Sequence, residues 1–276
     1  MDRVNRGMET LKRVREKWSL SEDGEIFMVG NSLLQPVVVA GKAAMLKIPL
    51  KKAELGGFRL LAAWNGIAAV KVYQFDAEAL LMERATGDRS LKRMTLSGRE
   101  EEVNRIICAV VKQLHANPCT GVPGLVPLET WFRSLYSAAA RDGGFFGRAQ
   151  SIVQQLLATP LDAVALHGDI HHENILDGGA RGWLVIDPKG LIGERGFDYA
   201  NIFCNPDLTV AGSPERLSSQ VRLMARLTQI PVDRLLRWIV AWSALMASWM
   251  LEDGEDPVLP FTVGAIAERE LGDAGT

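Results

Sequence analysis

The sequence predicts an α+β fold in which a lobe built on a small antiparallel sheet precedes a mostly helical lobe. Three observations support this prediction. Short β-prone segments separated by turns occupy residues 24–83, helical patterns dominate from about residue 88 onward, and no internal repeat or low-complexity stretch is present. The boundary is expected at residues 84–88, so that residues 1–85 form the first lobe and residues 86–276 the second.

The first lobe is predicted to begin with a charged helix, MDRVNRGMETLKRVREKW, which lacks the apolar core of a secretory signal. The pieces EIFMV, LLQPVVVA and AAMLKI then alternate with the turn segments GNS and AGK, as the strands of an antiparallel sheet do. Leucines, Phe58 and Trp64 recur at helical spacing from Glu54 to Asn65, where an Asn-Gly turn ends the helix. Two further strands are expected in AAVKVYQF and ALLMER.

The second lobe is predicted to be helical over most of its length. Helical patterns cover Glu100–Ala116, Leu128–Arg141, Ala149–Leu157 and Pro214–Met250. The most apolar stretch, Leu235–Leu251, is interrupted by Arg237 and is shorter than the roughly 20 apolar residues that a membrane span requires. We therefore expect a buried helix there, whose tryptophans belong to the core rather than stack on a sugar: Trp238, Trp242 and Trp249.

Composition and charge limit the classes of partner. A hydrophobic content of 47% can fill a core, and a formal net charge of -2 provides no basic field for nucleic acid or an anionic membrane. Cys108, Cys119 and Cys204 lack CxxC spacing, which argues against a disulfide framework or a zinc site and fits a reducing cytoplasm. A small ligand is the expected partner, and no protein partner is indicated.

Two segments of the second lobe contain the residues best suited to chemistry: HGDIHHENIL (167–176) and WLVIDPKG (183–190). Asp169 and Asn174 are separated by four residues, so a tight loop places both side chains at one end. The apolar pattern LVI indicates a strand that ends at Asp187. ATP-dependent phosphoryl transfer uses a carboxylate for the acceptor hydroxyl, then an amide and a second carboxylate for Mg²⁺, in this order. The segments therefore predict phosphoryl transfer.

These segments resemble the aminoglycoside phosphotransferases, a branch of the protein-kinase-like fold, in which HGD-x4-N is followed by IDP. LHGDIHHENIL and RGWLVIDPKGLIGERGFDYANIF look like the aminoglycoside/hydroxyurea antibiotic-resistance kinases and, within that group, the streptomycin 6-phosphotransferases. ALLMERATG and RLLRWIVAW extend the resemblance over most of the chain. The resemblance implies a two-lobed protein-kinase-like fold, ATP or another nucleoside triphosphate with Mg²⁺, and a small cationic aminocyclitol as acceptor.

The resemblance also implies roles for individual residues of the second lobe. Asp169 would be the catalytic aspartate, and Asn174 and Asp187 would bind magnesium. His167 would be structural and pack beneath Asp169, while Asp198 would brace the catalytic loop from the following helix. The implied reaction is transfer of a phosphoryl group to a hydroxyl of streptomycin, at the 6-position of its streptidine ring.

In the first lobe, the resemblance implies a nucleotide site. Lys47 in AMLKIP would contact the phosphates with Glu54 as its partner; alternatively, Lys51 or Lys52 competes and the pair is a solvated surface contact. The segment VGNS has a single glycine, so Ser32 either contacts phosphate or belongs to an ordinary hairpin turn. The interlobe linker would bind adenine, and the residues assigned to this contact are Met82, Glu83 and Ala85.

Recognition of a cationic acceptor should require carboxylates near Asp169, because streptomycin carries two guanidinium groups and a methylamine. Glu173 could face the acceptor or have a local capping role. Asp207 is a further candidate, and the acidic run after the tryptophan-rich helix contributes Glu252 and Asp253. The alternative for that run is a solvated helix exit.

Three other interpretations are open at the level of sequence. GDIHH resembles pieces of binuclear metallohydrolases, but only four histidines are present and two clustered metals need more ligands. A kinase of the same fold could act on another small hydroxyl compound, such as a different aminocyclitol, a sugar amine or hydroxyurea. A non-catalytic pseudokinase is disfavoured because the key residues are all present: Lys47, Asp169, Asn174 and Asp187.

Overall fold

The computed structural model describes residues 2–51, 55–117 and 119–274, so that Glu54 lies outside the described residues. Its strands are β1 (Ser21–Glu22), β2 (Phe27–Val29), β3 (Ser32–Val39), β4 (Lys42–Pro49), β5 (Val72–Phe75), β6 (Leu80–Glu83), β7 (Val126–Pro127), β8 (Ala163–Leu166), β9 (Ile175–Asp177), β10 (Trp183–Val185) and β11 (Leu191–Glu194). Its helices are α1 (Asp2–Lys17), α2 (Leu55–Trp64), α3 (Leu91–Leu96), α4 (Glu100–Ala116), α5 (Leu128–Trp131), α6 (Arg133–Asp142), α7 (Gly144–Ala158), α8 (Leu208–Ala211), α9 (Pro214–Thr228), α10 (Val232–Asp253) and α11 (Val258–Ala274). Short 3-10 helices span Gly179–Arg181, Arg195–Tyr199 and Asn201–Cys204.

The sheet lobe is built on an antiparallel sheet with strand order β1-β3-β4-β6-β5, and β2 pairs with β3. Side chains alternate in burial along β3, because one face of the sheet packs against α1. Leu11 and Val14 of α1 share a core with Val37 and Leu46 of the sheet. The charged N-terminal segment is therefore a helix whose apolar stripe covers one face of the sheet.

The opposite face of the sheet packs against α2 and continues into the core of the helical lobe. Phe58 and Trp64 of α2 are buried in that core. An isolated parallel bridge between Ala69 and Val185 also joins the two lobes. The predicted α+β organisation is confirmed, while the exact lobe boundary at residue 85 stays a prediction.

Two stretches with a helical pattern are each divided in the structure. Residues 214–250 are almost wholly helical, as predicted, and are divided into α9 and α10 by Gln229, which has a left-handed conformation, and by Pro231, the N-cap of α10. A proline cannot continue a helix, because its ring replaces the backbone N–H. The predicted helix over residues 128–141 is likewise divided at Phe132 into α5 and α6.

α10 is the central helix of the helical lobe, and residues on most sides of it are buried. Trp238 and Trp242 are buried in the core, as the sequence predicts. Trp249 is partly buried and packs edge-on against Trp242, with ring centroids 6.0 Å apart. Of the helices in the described part of the chain, none is long and apolar enough to cross a membrane.

Two small sheets inside the helical lobe carry the segments with candidate chemistry. β9 and β10 form one antiparallel pair, while β11 pairs with β7 on one side and β8 on the other. The apolar pattern before Asp187 predicts β10. β7, β8 and β11 were not predicted, because their pairing joins segments that are far apart in the sequence. These short strands bring residues 167–174 next to residues 187–190.

Candidate active site

A cleft of about 640 Å³ has lining residues from both lobes. We call its two sides the sheet wall and the helical wall. The residues that define the sheet wall are Gly30, Ser32, Lys47 and Met82. The residues that define the helical wall are Asp169, Asn174, Asp187 and Lys189. The structure thus brings predicted nucleotide residues of the first lobe together with the three residues predicted to perform chemistry.

Asp169 is held in place by amide side chains from two different segments. Its Oδ1 accepts a hydrogen bond from Asn201 Nδ2 at 2.9 Å. Asn174 Nδ2 donates to the backbone carbonyl of Asp169 at 2.9 Å and approaches its Oδ2 at 3.4 Å. Lys189 Nζ lies 3.3 Å from the same Oδ2. One carboxylate oxygen is therefore engaged by Asn201, while the other lies beside Lys189, which lines the cleft.

Asp198 connects the catalytic loop to the segment that follows β11. Its carboxylate accepts hydrogen bonds from the backbone N–H groups of His167 (3.0 Å) and Gly168 (2.7 Å) and from His115 Nε2 (2.9 Å). Asp198 is only 1% exposed, and a buried carboxylate costs free energy unless donors satisfy it in this way. Gly168 adopts φ +82°, and a Cβ there would lie 2.7 Å from the side chain of Leu191. The turn before Asp169 therefore requires glycine.

His167 is buried next to Asp169 and has no exposed surface. Its Nδ1 accepts a hydrogen bond from the backbone N–H of Asp169 at 3.2 Å, and its Nε2 donates to the carbonyl of Ile186 at 2.8 Å. The ring also stacks on Trp64 of α2, with centroids 6.3 Å apart. Burial lowers the pKa of His167, which agrees with a neutral ring that accepts at one nitrogen and donates at the other.

Asp187 follows β10 in a left-handed backbone conformation (φ 60°), which is uncommon for a residue with a side chain. It forms an ion pair with Lys47, and its Oδ2 lies 3.7 Å from Lys189 Nζ. Burial raises the pKa of Asp187, but the two ammonium groups outweigh burial and hold this pKa below its ordinary value. The carboxylate is therefore ionised at neutral pH.

The side-chain oxygens of Asn174 and Asp187 are suitable ligands for a magnesium ion. The backbone N–H of Ile186 donates to the carbonyl of Asn174 at 3.0 Å, which places the catalytic loop next to Asp187. Because the amide nitrogen of Asn174 is bonded to Asp169, its amide oxygen is the group left to bind a cation. An amide oxygen and a carboxylate are hard ligands of the kind that Mg²⁺ prefers.

Lys47 reaches the helical wall from β4. Leu46 and Ile48 are buried in the core under α1, so the intervening Lys47 points to the opposite face of the sheet. Its side chain is only 11% exposed, and its partner is Asp187. The predicted partner, Glu54, lies outside the described residues. An ammonium with so little exposure requires an anionic partner, and a phosphate group would meet the same requirement.

The other residues predicted for nucleotide binding are distributed unequally around the cleft. Ser32 and Met82 line it. Glu83 and Ala85 are not among the described residues that line it. The backbone N–H of Glu83 donates to the carbonyl of Lys71 at 2.8 Å, so a nucleotide contact by the main chain of Glu83 would have to use its carbonyl oxygen. Adenine recognition by this segment stays a prediction.

Of the four predicted acceptor carboxylates, Glu173 is the one that lines the cleft in the described structure. It is exposed there and forms an ion pair with Lys92 at 3.3 Å. Asp207 instead caps α8, where its side chain accepts a hydrogen bond from a backbone N–H. Glu252 and Asp253 are exposed at the C-terminal end of α10. Asp207, Glu252 and Asp253 are not among the described residues that line the cleft, and their role in acceptor binding stays a prediction.

Three residues around the site were not assigned a role in it by sequence reasoning. Asn201 lies 32 positions from its partner Asp169, and His115 lies 83 positions from its partner Asp198. Separations of this size leave no local signal. Lys189, in contrast, stands two positions after Asp187 in the motif IDPKG. A charge so close to a predicted metal ligand is a signal that could have identified it.

Lys47 on its strand lies across the cleft from Asp169, Asn174 and Asp187. A lysine that faces two carboxylates and an amide in this way is the arrangement of a kinase active site. The protein is therefore of the two-lobed kinase class. The sequence of residues 17–254 matches the family of aminoglycoside/hydroxyurea antibiotic resistance kinases, and the chain belongs to this family. The family membership predicted from the motifs is confirmed.

The chain is also similar to individual proteins over nearly its whole length. It is 43% identical to the streptomycin 3''-kinase of Klebsiella pneumoniae over 265 residues, which cover 93% of this chain and 99% of the relative. It is 28% identical to the streptomycin 6-kinase of Streptomyces griseus, with coverage of 93% and 86%. A solved structure of a choline/ethanolamine kinase family protein from Mesorhizobium loti matches with a TM-score of 0.66 at 15% identity, covering 94% of this chain and 92% of that one. The predicted kinase-like fold is thereby confirmed.

Proposed function

We propose that the protein transfers the γ-phosphoryl group of a nucleoside triphosphate to a hydroxyl of streptomycin. The main support is the arrangement of Asp169, whose Oδ1 is fixed by Asn201 while its Oδ2 lies beside Lys189 at the cleft. The acceptor is supported by the family and by the 43% identity with a streptomycin kinase. Phosphorylation adds a dianion to a cationic antibiotic and would thereby weaken its binding to its target.

In the proposed reaction, Asp169 orients the acceptor hydroxyl and receives its proton on Oδ2. The acceptor oxygen forms a bond to the γ-phosphorus, the bond from phosphorus to the β–γ bridging oxygen breaks, and the nucleoside diphosphate leaves with that electron pair. The proton then passes from Asp169 to solvent. Because the transition state is loose, the proton moves late, so Asp169 contributes largely by orienting the hydroxyl.

The groups that would hold the nucleotide lie on both walls of the cleft. Asn174 and Asp187 would bind Mg²⁺, which neutralises phosphate charge when it is bound. Lys47 would exchange its carboxylate partner for phosphate oxygens, because both are anionic acceptors. Ser32 and Met82, which line the sheet wall, would contact the phosphates and the base.

Glu173 is our candidate for attraction of the acceptor. Its carboxylate is 61% exposed and its partner Lys92 is 38% exposed. An ion pair with this much exposure contributes little to stability, so exchanging Lys92 for a ligand cation costs little. A guanidinium group of streptomycin can bind a carboxylate through two parallel hydrogen bonds, which Lys92 cannot do.

We assign the 3''-hydroxyl as the acceptor position, in preference to the 6-hydroxyl that the motif resemblance implies. The support is the difference between 43% identity to a 3''-kinase and 28% identity to a 6-kinase. Both alignments cover 93% of this chain, so the difference is a property of the whole chain rather than of one segment. The residues around Asp169 act on the phosphoryl group and are expected to serve either position equally well.

The test of the proposed function is an assay of nucleoside diphosphate release with a panel of acceptors. Streptomycin, kanamycin, hydroxyurea, choline and homoserine are compared, each with ATP and with GTP. We expect release above background with streptomycin, together with a product heavier by one phosphate. Tandem mass spectrometry then separates the streptidine ring from the terminal sugar, and we expect the phosphate on the terminal sugar.

Each other outcome has a distinct meaning. Phosphate on the streptidine ring would replace the 3''-position by the 6-position. Transfer to hydroxyurea or another small hydroxyl compound alone would remove streptomycin as the acceptor and leave the kinase assignment intact. Transfer to none of the acceptors would contradict the proposed function.

A further inference from the structure

A lysine lies between the two carboxylates of the helical wall. Lys189 Nζ is 3.3 Å from Oδ2 of Asp169 and 3.7 Å from Oδ2 of Asp187. Its side chain is 22% exposed and lines the cleft. One ammonium group thus contacts both the residue proposed to receive the acceptor proton and the residue proposed to hold the metal at the nucleotide phosphates.

The main chain that carries Lys189 is anchored on more than one side. Its backbone N–H donates to the carbonyl of His167 at 2.7 Å, which holds the residue against the catalytic loop. Gly57 of α2 packs so closely on the carbonyl of Pro188 that a Cβ at Gly57 would overlap it. A Cβ at Gly168 would lie 3.2 Å from Cβ of Lys189. The main chain is therefore held in place, while the long, flexible side chain can redirect its ammonium group.

The catalytic loop itself supplies no permanent cation at this point. The residues between Asp169 and Asn174 are Ile, His, His and Glu. In the part of the chain that the structure describes, Lys189 is the one lysine or arginine that forms an ion pair with Asp169. Lys47 pairs with Asp187 from the opposite wall. The positive charge at the reacting end of the helical wall therefore comes from Lys189.

We propose that Lys189 is a catalytic residue that binds the transferred phosphoryl group. During transfer this group lies between the acceptor oxygen at Asp169 and the nucleotide phosphates near Asp187, which is where the ammonium group already lies. The equatorial oxygens of the phosphoryl group carry the charge of the loose transition state, and a positioned cation stabilises that charge. The ammonium group of Lys189 also reduces the repulsion between the anionic phosphoryl group and the carboxylate of Asp169. The inference rests on the proposed phosphoryl transfer.

A purely structural role for Lys189 has different consequences. In that case its ammonium group would only neutralise Asp169 and Asp187, and its loss would lower stability and weaken the binding of every nucleotide to the same extent. Direct contact with the transferred group instead favours a nucleoside triphosphate over a diphosphate. The ratio of the two affinities therefore separates the roles without any turnover.

The experiment compares Lys189→Met and Lys189→Arg with Lys112→Met, a control lysine on the exposed face of α4. Calorimetric titrations with Mg²⁺ and either ADP or the non-hydrolysable analogue AMP-PNP measure binding. For Lys189→Met we expect AMP-PNP affinity to fall by about tenfold, as for a lost hydrogen bond to a charged group, with ADP affinity close to that of the wild type. With the acceptor, kcat should fall by on the order of 10²-fold. Lys189→Arg should recover part of both losses.

Two results would overturn the inference. They are an unchanged kcat in Lys189→Met and an equal loss of ADP and AMP-PNP affinity in that variant. If Lys189→Met is insoluble, Lys189→Gln takes its place under the same criteria. If the wild type phosphorylates none of the acceptors, the proposed function fails, while the two titrations still decide whether Lys189 contacts the γ-phosphoryl group.

Discussion

The two walls of the cleft are built in different ways. On the helical wall, the carboxylate of Asp169 is engaged by Asn201 and Lys189, and the buried Asp198 supports the loop from behind with three accepted hydrogen bonds. On the sheet wall, the hairpin of β2 and β3 carries exposed apolar side chains, since Met28 is 60% exposed and Val29 is 58% exposed. The helical wall is thus a dense polar network, whereas every side chain of β2, the outer strand of this hairpin, is exposed.

This difference indicates that the reacting groups on the helical wall are held in fixed positions, whereas the hairpin on the sheet wall can move. A displacement of about 1 Å at reacting groups can cost on the order of 10²-fold in rate, so the residue that orients the hydroxyl needs fixed partners. A loop that covers a nucleotide must also release it, and a segment with few buried contacts opens at a low free-energy cost. Lys47 spans the two regions, because it belongs to the sheet and pairs with Asp187.

The largest effect is expected when the reacting carboxylate of the helical wall is removed. Asp169→Ala should lower kcat by on the order of 10²-fold or more, because it removes the group that orients the hydroxyl and receives its proton. ADP affinity should stay close to that of the wild type, since the proposed nucleotide contacts lie elsewhere. Steady-state kinetics with streptomycin and calorimetry with ADP measure these quantities. Near-normal turnover would remove Asp169 from the catalytic role.

The next largest effect is expected at the residue that connects the walls. Lys47→Met should weaken ATP binding by roughly 10- to 100-fold, which corresponds to about 1.5–3 kcal/mol for a hydrogen bond between charged groups. Lys42, an exposed lysine at the start of the same strand, provides the matched control Lys42→Met. Fluorescence titration with a labelled nucleotide measures both variants. Equal affinities in the two variants would mean that Lys47 does not contact the phosphates.

A smaller effect is expected at the packing contact between α2 and the loop that carries Lys189. In Gly57→Ala the added Cβ would overlap the carbonyl of Pro188, so that α2 and the loop must move apart. We expect a loss of about 1–3 kcal/mol in the free energy of unfolding, as for overpacking in a core. Gly147→Ala in α7 is the control, because its Cβ meets no atom within 4 Å and alanine there should stabilise the helix by up to about 1 kcal/mol.

Urea unfolding of both glycine variants measures these differences, and kinetics with streptomycin show whether the loop has moved. Gly57→Ala should lose activity as well as stability, because residues 187–189 line the cleft directly below the contact. Equal stabilisation of the two variants would contradict a close contact between α2 and this loop.

The smallest effect on stability is expected at the exposed hairpin. Met28→Ser should change the free energy of unfolding by no more than about 0.5 kcal/mol, because the side chain is mostly in solvent. Leu46→Ala, at a fully buried position of the same sheet, should cost about 2–5 kcal/mol. Thermal and urea unfolding compare the two variants. A large loss of stability in Met28→Ser would mean that the hairpin is packed more tightly than its exposure indicates.

Local patterns predicted the parts of this protein that depend on neighbouring residues. The helix from Glu100 to Ala116 was predictable to the residue, because its apolar side chains repeat at helical spacing. Asp169 and Asn174 were predictable because one short loop holds both. The short strands β7, β8 and β11 were not, since their pairing depends on distant segments rather than on a pattern of their own.

The sequence by itself determined the α+β order of elements and the type of chemistry. Both depend on hydrophobic periodicities and on motifs that are a few residues long. The tertiary structure alone decided which side chains meet. Lys47 and Asp187 are 140 positions apart, and Asn201 reaches Asp169 only because the chain folds back beneath the catalytic loop. The acidic residues at the end of α10 are not among the described residues that line the cleft, which their sequence alone does not indicate. A local pattern specifies which face of an element is buried, whereas the packing of whole elements decides what that face contacts.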